Sequence, residues 1–415
     1  VSSSFTIPRR PPMPESFPAA PRAYSPTIDA LEKRAKHDPR AIDRFWKTIE
    51  STPLVEDMDE SPDQALVTFL YEDPSAECVL VNVNKVTNSP SEGKMCRVAE
   101  SGLWAATFIL DRAWRGSYAF VSLGAKQYEA MSRGDRFTAL RALRQEARFD
   151  PKNPDSEMTF GGRATSVAHL DRAPVQKWIE SPSPDNVRGS MSPAIEISGR
   201  TVWIYAPPGV GETDPASCVV MLDGDVWRTS DSFTHTADNL ALSGFIRPPY
   251  FLLVDSQGTE QRLRDLAIDG NISSYVVSEL LPWAREHLPI AASAHNTVVV
   301  GQSLGGLSAL KITLDHPDCV GNAVAQSSSL WQCDMLDRAS QARTDANIWL
   351  EVGAYEPVLL PYHPPLVSAL RSSGATVHYR EYVGGHDMAC WRGGIGDALA
   401  VLLGGRHLRS SHAGE

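Results

Sequence analysis

The stretch TVVVGQSLGGLSA, residues 297–309, decides how the chain is read. Thr297 to Val300 are β-branched and suit a buried strand. Gly301-Gln302-Ser303-Leu304-Gly305 then fits the pattern G-x-S-x-G, and the residues after it can be helical. A strand that becomes a helix over so few residues forces the central residue into a strained backbone conformation. Glycines two positions to either side keep side chains out of the turn. The Ser303 hydroxyl is thereby pushed out at a helix N-terminus. The backbone N–H of Leu304 lies beside it, where it is expected to form half of an oxyanion hole. A bare G-x-S-x-G equally describes an idle serine in a glycine-rich turn. The apolar strand before it, the helix after it and a late Gly-Gly-His favour a nucleophile.

A serine hydroxyl is scarcely ionised at neutral pH, so it needs a base, and the base needs a third group to orient it. In α/β-hydrolases the order is Ser, then Asp or Glu, then His. His386 stands in Val383-Gly384-Gly385-His386-Asp387, directly after the last expected strand. The other ten histidines lie in helices, linkers, a strand or the tail, which makes His386 the candidate base. Glu356 follows the strand NIWLEVG and is the leading acid. Asp387 beside the histidine, a Ser-His dyad and another carboxylate are the alternatives, while Glu351 within that strand also reads as buried structure. The second oxyanion donor is expected from the loop Asp223-Gly224-Asp225-Val226-Trp227, as the N–H of Gly224 or of Asp225.

Working outward, strands and helices alternate from residue 190 onward. TVWIYAPP, SCVVMLDGD, YFLLVDS, TVVVGQS, NAVAQSSS, NIWLEVG and TVHYREYVGG read as strands. Four helix-like stretches separate them. This predicts an α/β-hydrolase domain over 190–415, with a mostly parallel, doubly wound sheet and ligands at the carboxyl ends of its strands. Upstream, ALVTFLYE, ECVLVNVN, LWAATFIL and GSYAFVSL are short apolar runs spaced by turn-rich segments. They predict an immunoglobulin-like β-sandwich of about seven strands, which with a leading helix fills 27–150. That helix is expected in two pieces broken at Pro39, and a further one over 125–148. Residues 1–26 read as a disordered Pro-rich terminus and 151–189 as linker.

With 42% hydrophobic and 21% charged residues the composition is that of a globular protein. A net charge of −11 argues against a nucleic-acid binder. Six cysteines without metal-type spacing, no apolar leader segment and no run of transmembrane length lead to the expectation of a cytoplasmic protein, with no membrane partner. It is expected to be a monomer or weak homo-oligomer, with no cofactor and no protein metal site.

Several of these strings together resemble the enterochelin (ferric enterobactin) esterase family. MLDGDVW, Arg262-x-x-Asp265-Leu266, GQSLGGLSAL, AQSSSLW, VGAYEP and GGHDMACWRGGI carry the resemblance, the last being the most specific. The N-terminal half matches more loosely, through Phe45-Trp46, LVTFLYE and the stretch from Trp104 to Tyr118. The resemblance implies hydrolysis of the trilactone backbone of a tris-catecholate siderophore with ferric iron bound. It implies Ser303 as nucleophile and His386 as base, and puts Arg262, Trp331, Trp391 and Arg392 near the substrate. A ferric tris-catecholate is a trianion with aromatic faces, so an acidic protein must gather local cations to hold it. Arg264 and Trp227 are added as candidates on that ground. Two other readings stand beside this one. The first is an acyl esterase of the same fold acting on aryl or sugar esters. The second is a siderophore-binding protein without turnover.

Overall fold

The computed structural model describes residues 11–12, 20–134, 146–159, 163–210, 215–333, 335–342 and 345–404. Contacts divide the chain into two compact units. One is built from Glu15–Pro174 together with Tyr382–Cys390, the other from Val1–Pro14, Val175–Glu381 and Trp391–Glu415.

The first unit opens with two short helices, Pro26–Ala35 and Ala41–Thr48, on either side of Pro39. Its strands are β1 (Arg22–Ala23), β2 (Leu54–Asp57), β3 (Gln64–Glu72), β4 (Cys78–Val83), β5 (Cys96–Arg97), β6 (Leu103–Asp111), β7 (Arg115–Leu123), β8 (Ser156–Met158) and β9 (Ala164–His169). They form a five-stranded sheet, β1-β6-β3-β2 with β5 on β6, and a four-stranded sheet, β4-β7-β9-β8. The pairings are antiparallel throughout. Phe69 of β3 meets Tyr118 of β7 edge-on, with ring centroids 4.8 Å apart, so the two sheets share a core in the manner of a sandwich. The segment 151–189, read as linker, carries β8 and β9. Both strands are short and flanked by Pro and Gly, so their period-two signal is too brief to stand out. The helix expected over 125–148 is present as Ala125–Arg133; residues 135–145 lie outside the described residues, as do most of those in 1–26.

The second unit holds β10 (Ser190–Met191), β11 (Ile195–Ile197), β12 (Arg200–Ala206), β13 (Cys218–Met221), β14 (Tyr250–Val254), β15 (Thr297–Gln302), β16 (Asn322–Gln326), β17 (Asn347–Gly353) and β18 (Thr376–Tyr382). They form one sheet in the order β10-β12-β14-β13-β15-β16-β17-β18, with β11 on β12. From β14 through β13, β15 and β16 to β17 the neighbours are parallel, and the β10–β12 and β12–β14 pairs are antiparallel. One face buries Val220, Leu252 and Val299 under the helices of 272–287, and Ala323, Ile348 and Leu350 with Leu307, Leu310 and Leu366. On the other, Phe251 of β14 and Phe233 of the helix Asp231–Ser243 meet at 5.3 Å. This is the mostly parallel, doubly wound sheet of an α/β-hydrolase, with strands buried on both faces.

Candidate active site

The turn of the candidate nucleophile is built as its sequence requires. Ser303 follows β15 directly and sits at φ 60°, ψ −116°, a conformation a non-glycine residue holds only under compulsion from its surroundings. The compulsion is visible. Ser303 N donates to Gln326 O at 2.9 Å, and Leu307 N and Ser329 N both donate to Ser303 O. A Cβ on Gly301 would fall 2.1 Å from Gly305 O, so no side chain fits there. Gly305, expected to be equally tight, would have its nearest neighbour at 3.4 Å; the close approach is at Gly306, 2.6 Å from Ser328 Oγ. The motif's second glycine is therefore the looser of the pair. The helix Leu304–Asp315 begins immediately, so the Leu304 N–H belongs to its unpaired first turn.

The loop after β13 carries the second set of amides. Asp223 has φ 55° and Gly224 opens a single helical turn, Gly224–Trp227. A Cβ on Gly224 would lie 2.3 Å from the backbone of β14, so only glycine permits this approach. The N–H groups of Gly224 and Asp225 are the first two of that turn. The Asp225 carboxylate is held by Ser256, through its N–H and its hydroxyl, both at 2.9 Å. Arg262 joins the two turns. Its Nε and Nη2 donate to the Asp223 carboxylate at 2.5 and 2.8 Å, and Nη2 reaches Gln302 O at 3.4 Å. Arg262 thus braces the loop after β13 against the end of β15. Burial works to lower its pKa, but the Asp223 carboxylate outweighs this and raises it, so the guanidinium stays charged.

The candidate acid is placed by β16 and β17. Glu356 is buried, and its Oε2 accepts from Ser327 Oγ at 2.6 Å and from Gly353 N at 2.8 Å. Ser327 in turn accepts from Trp391 Nε1 at 2.9 Å. Ser327 and Ser329 belong to one turn at the end of β16, so the acid's anchor and the nucleophile's neighbour are two residues apart. Ser329, which the sequence did not single out, brings its Oγ to 3.4 Å from Ser303 Oγ. Glu351 is engaged elsewhere, with Arg380, Trp349 and Gln326.

His386 lies in the other compact unit, in the loop Tyr382–Cys390. Its carbonyl accepts from Asn84 Nδ2 at 2.9 Å, and Val383 O accepts from Arg115 N. Neither loop glycine has positive φ; both are needed for close approach instead. A Cβ on Gly385 would lie 2.4 Å from Lys85 Cγ, and one on Gly384 2.7 Å from Arg115 O. Asp387 accepts from Ser117 N at 2.6 Å and, through its other oxygen, from Ala389 N at 3.0 Å. It therefore caps the helix that begins at Met388 and anchors the loop.

The substrate-facing residues divide. Trp331 is partly exposed and packs beside Val352, Val358 and Leu359. Trp227 and Trp391 are buried instead, with indole N–H groups given to Gln302 Oε1 and Ser327 Oγ. A stacking role for either is corrected: each is a packing residue whose polar edge is used internally. Arg392 is also buried, with Nε on Gln176 Oε1 at 3.0 Å. Arg264 is exposed and pairs with Glu260 one helical turn away. Among the described residues, no cluster of three or more His, Cys, Asp or Glu side chains is arranged to hold a metal ion.

Comparison with known proteins agrees with this architecture. Residues 66–179 match the family model "Enterochelin esterase, N-terminal", and residues 196–402 match "Putative esterase". The chain belongs to the enterochelin esterase family. It is 29% identical over 368 residues to the iron(III) enterobactin esterase of Escherichia coli K12, covering 81% of this chain and 90% of that protein. It is 28% identical over 390 residues to the iron(III) salmochelin esterase of Escherichia coli O6:H1 strain CFT073, covering 87% and 93%. Among solved structures, the enterobactin esterase of Shigella flexneri, determined in the presence of enterobactin, superposes with a TM-score of 0.74 at 28% identity, covering 87% of this chain and 97% of that one. The ferric enterobactin esterase of Salmonella typhimurium gives 0.75 at 27%, covering 87% and 98%.

Proposed function

We propose that this enzyme opens the serine trilactone of a ferric tris-catecholate siderophore by acyl transfer to Ser303. The observation that carries the reading is the strained backbone of Ser303 in its strand-to-helix turn, in a family whose named relatives are enterobactin and salmochelin esterases. His386 takes the proton from Ser303 Oγ as that oxygen attacks a lactone carbonyl. Glu356, held by Ser327 and Gly353, orients the imidazole and stabilises its charged form. The N–H of Leu304 and one N–H of the 224–225 turn bind the oxyanion, each worth about 3 kcal/mol to the transition state. The seryl alkoxide leaves with the proton from His386. Water, deprotonated by His386, then attacks the acyl-enzyme and frees Ser303 Oγ.

Iron enters as cargo, ligated by the catechols. Trp331 is the aromatic surface offered to them. Six cysteines outside any disulfide support a reducing compartment, and we place the enzyme in the cytoplasm, where linearised siderophore surrenders iron more readily. Among the described residues no helix is long and apolar enough to cross a membrane.

The test is mass spectrometry of the products from ferric and iron-free trilactones, with a p-nitrophenyl and a feruloyl ester as comparators. Linear and monomeric dihydroxybenzoyl-serine units from the trilactones, absent with Ser303→Ala, are expected. Turnover of the simple esters alone moves the enzyme to a general acyl esterase. Tryptophan quenching by the trilactone without product makes it a binding protein.

A further inference from the structure

Three of the strands that lead into the functional turns carry a buried polar residue at matching height. Gln302 ends β15, Gln326 ends β16, and Glu351 lies near the end of β17. The register pairs Gln302 with Gln326 and Gln326 with Glu351, so all three side chains stand side by side on one face. All three are fully buried. Interior strands of a parallel sheet are expected to be apolar throughout, and buried amides and carboxylates are costly unless bonded.

These are bonded head to tail. Trp227 Nε1 donates to Gln302 Oε1 at 3.0 Å, Gln302 Nε2 to Gln326 Oε1 at 2.8 Å, and Gln326 Nε2 to Glu351 Oε1 at 2.6 Å. From the opposite side Arg380 of β18 donates to Glu351 Oε2 at 2.7 Å, and Arg380 also binds Asp397 at 2.9 Å. Burial works to lower the Arg380 pKa, but Glu351 and Asp397 outweigh it and raise it, so the row ends on a charged guanidinium. The helix Met388–Gly404 closes over the row at a glycine. A Cβ on Gly394 would lie 2.3 Å from Glu351 Oε1 and 2.7 Å from Gln326 Nε2. The unusual Trp-Arg-Gly-Gly string thus contains a glycine that fits against this row.

We propose that Gln302, Gln326 and Glu351 are positioning residues for ester hydrolysis, a claim that rests on Ser303 being the nucleophile. The row begins on the turn of Gly224 and Asp225. It passes through Gln302 and Gln326, the residues immediately before Ser303 and before Ser327, which holds Glu356, and ends on β18, the strand before the His386 loop. Each amide has one orientation that satisfies both neighbours, so the row fixes the heights of the strand ends relative to one another. A slip of a few tenths of an ångström at any of these ends misaligns groups that must act together. An apolar row of the same volume would bury well but would leave those heights to packing alone.

The test is Gln326→Leu in the full chain, assayed on a ferric trilactone and an activated aryl ester, with Ser303→Ala alongside. The expected result is a cooperatively folded protein whose kcat falls at least about tenfold with KM changed by less than about threefold. Gln326 Nε2 also donates to Trp391 O at 3.0 Å, so the near-isosteric Gln326→Glu keeps the volume but turns an acceptor toward both Glu351 and that carbonyl, and should lose at least as much kcat. A Gln326→Leu enzyme with near-normal kcat, however much less stable, overturns the proposal; so does a Gln326→Glu enzyme that folds and turns over normally. If Gln326→Leu does not fold, Trp227→Phe removes only the terminal donor, and a kcat drop of about threefold at constant KM is expected; unchanged kcat overturns it. An active Ser303→Ala defeats the nucleophile assignment instead, and this proposal falls with it.

Discussion

The two compact units bury polar groups in different ways. In the sandwich they form a closed knot. Asp150 accepts from Thr52 Oγ1 at 2.6 Å and from the Tyr118 hydroxyl at 2.7 Å, while Asn153 Nδ2 donates to Tyr118 at 3.0 Å. Two loops are tied to each other and to β7, and the set ends in the core. In the hydrolase unit a row of buried polar groups crosses the strand ends, through the residues before Ser303 and Ser327, to Arg380. The first arrangement serves the fold. The second spends desolvation at the place where geometry matters for chemistry.

That contrast makes separable predictions. The largest effect is expected at Glu356. Glu356→Gln keeps the shape but removes the charge, so kcat should fall about 100-fold or more while the melting temperature moves little. Steady-state kinetics beside a thermal melt would show it. Asp150→Ala should do the reverse. It strands the Thr52 and Tyr118 hydroxyls, costs about 3 kcal/mol by denaturant titration, and leaves kcat per folded molecule within about twofold. Ser329→Ala keeps the backbone bond to Ser303 O and removes only the hydroxyl beside Ser303 Oγ. A kcat reduced about fivefold is expected, from a hydrogen bond worth about 1 kcal/mol, with rescue by Ser329→Thr. The smallest effect concerns pH. Burial first, and then the Asp150 carboxylate, raise the Tyr118 pKa above its ordinary value. The folded chain therefore keeps this proton where the unfolded chain loses it, and the stability so contributed is present below about pH 10 and lost as pH rises beyond it. Tyr118→Phe should flatten the alkaline fall of the melting temperature.

Much of the hydrolase unit was legible. TVVVGQSLGG announces its turn because a β-branched run, a glycine and a small-residue helix start rarely coincide without one. The alternation after residue 190 gave the parallel strands because each is long enough to show. β10 and β11 escaped for the same reason as β8 and β9: two or three residues in Pro- and Ser-rich surroundings carry no period. The substrate residues were less legible. A tryptophan in a motif looks like a ligand surface, but whether its face is covered depends on distant packing, and Trp227 and Trp391 are covered. The need for glycine in the His386 loop is steric and comes from far along the chain: Gly385 is fitted to Asn84 and Lys85 some three hundred residues earlier, and Gly384 to the Arg115 carbonyl. The polar row left a readable trace. TVVVGQ, NAVAQ and NIWLE each place Gln or Glu after an apolar run, at positions the sheet register aligns.

The claim on which the rest depends is that the ester passes through Ser303. The direct measurement is acid-quench mass spectrometry of the enzyme during turnover of the trilactone, followed by peptide mapping. The account predicts an adduct of one to three dihydroxybenzoyl-seryl units on the peptide containing Ser303, the whole opened ring after the first acyl transfer, absent from Ser303→Ala, which also releases no product. An adduct on another residue, or undiminished turnover by Ser303→Ala, would contradict it.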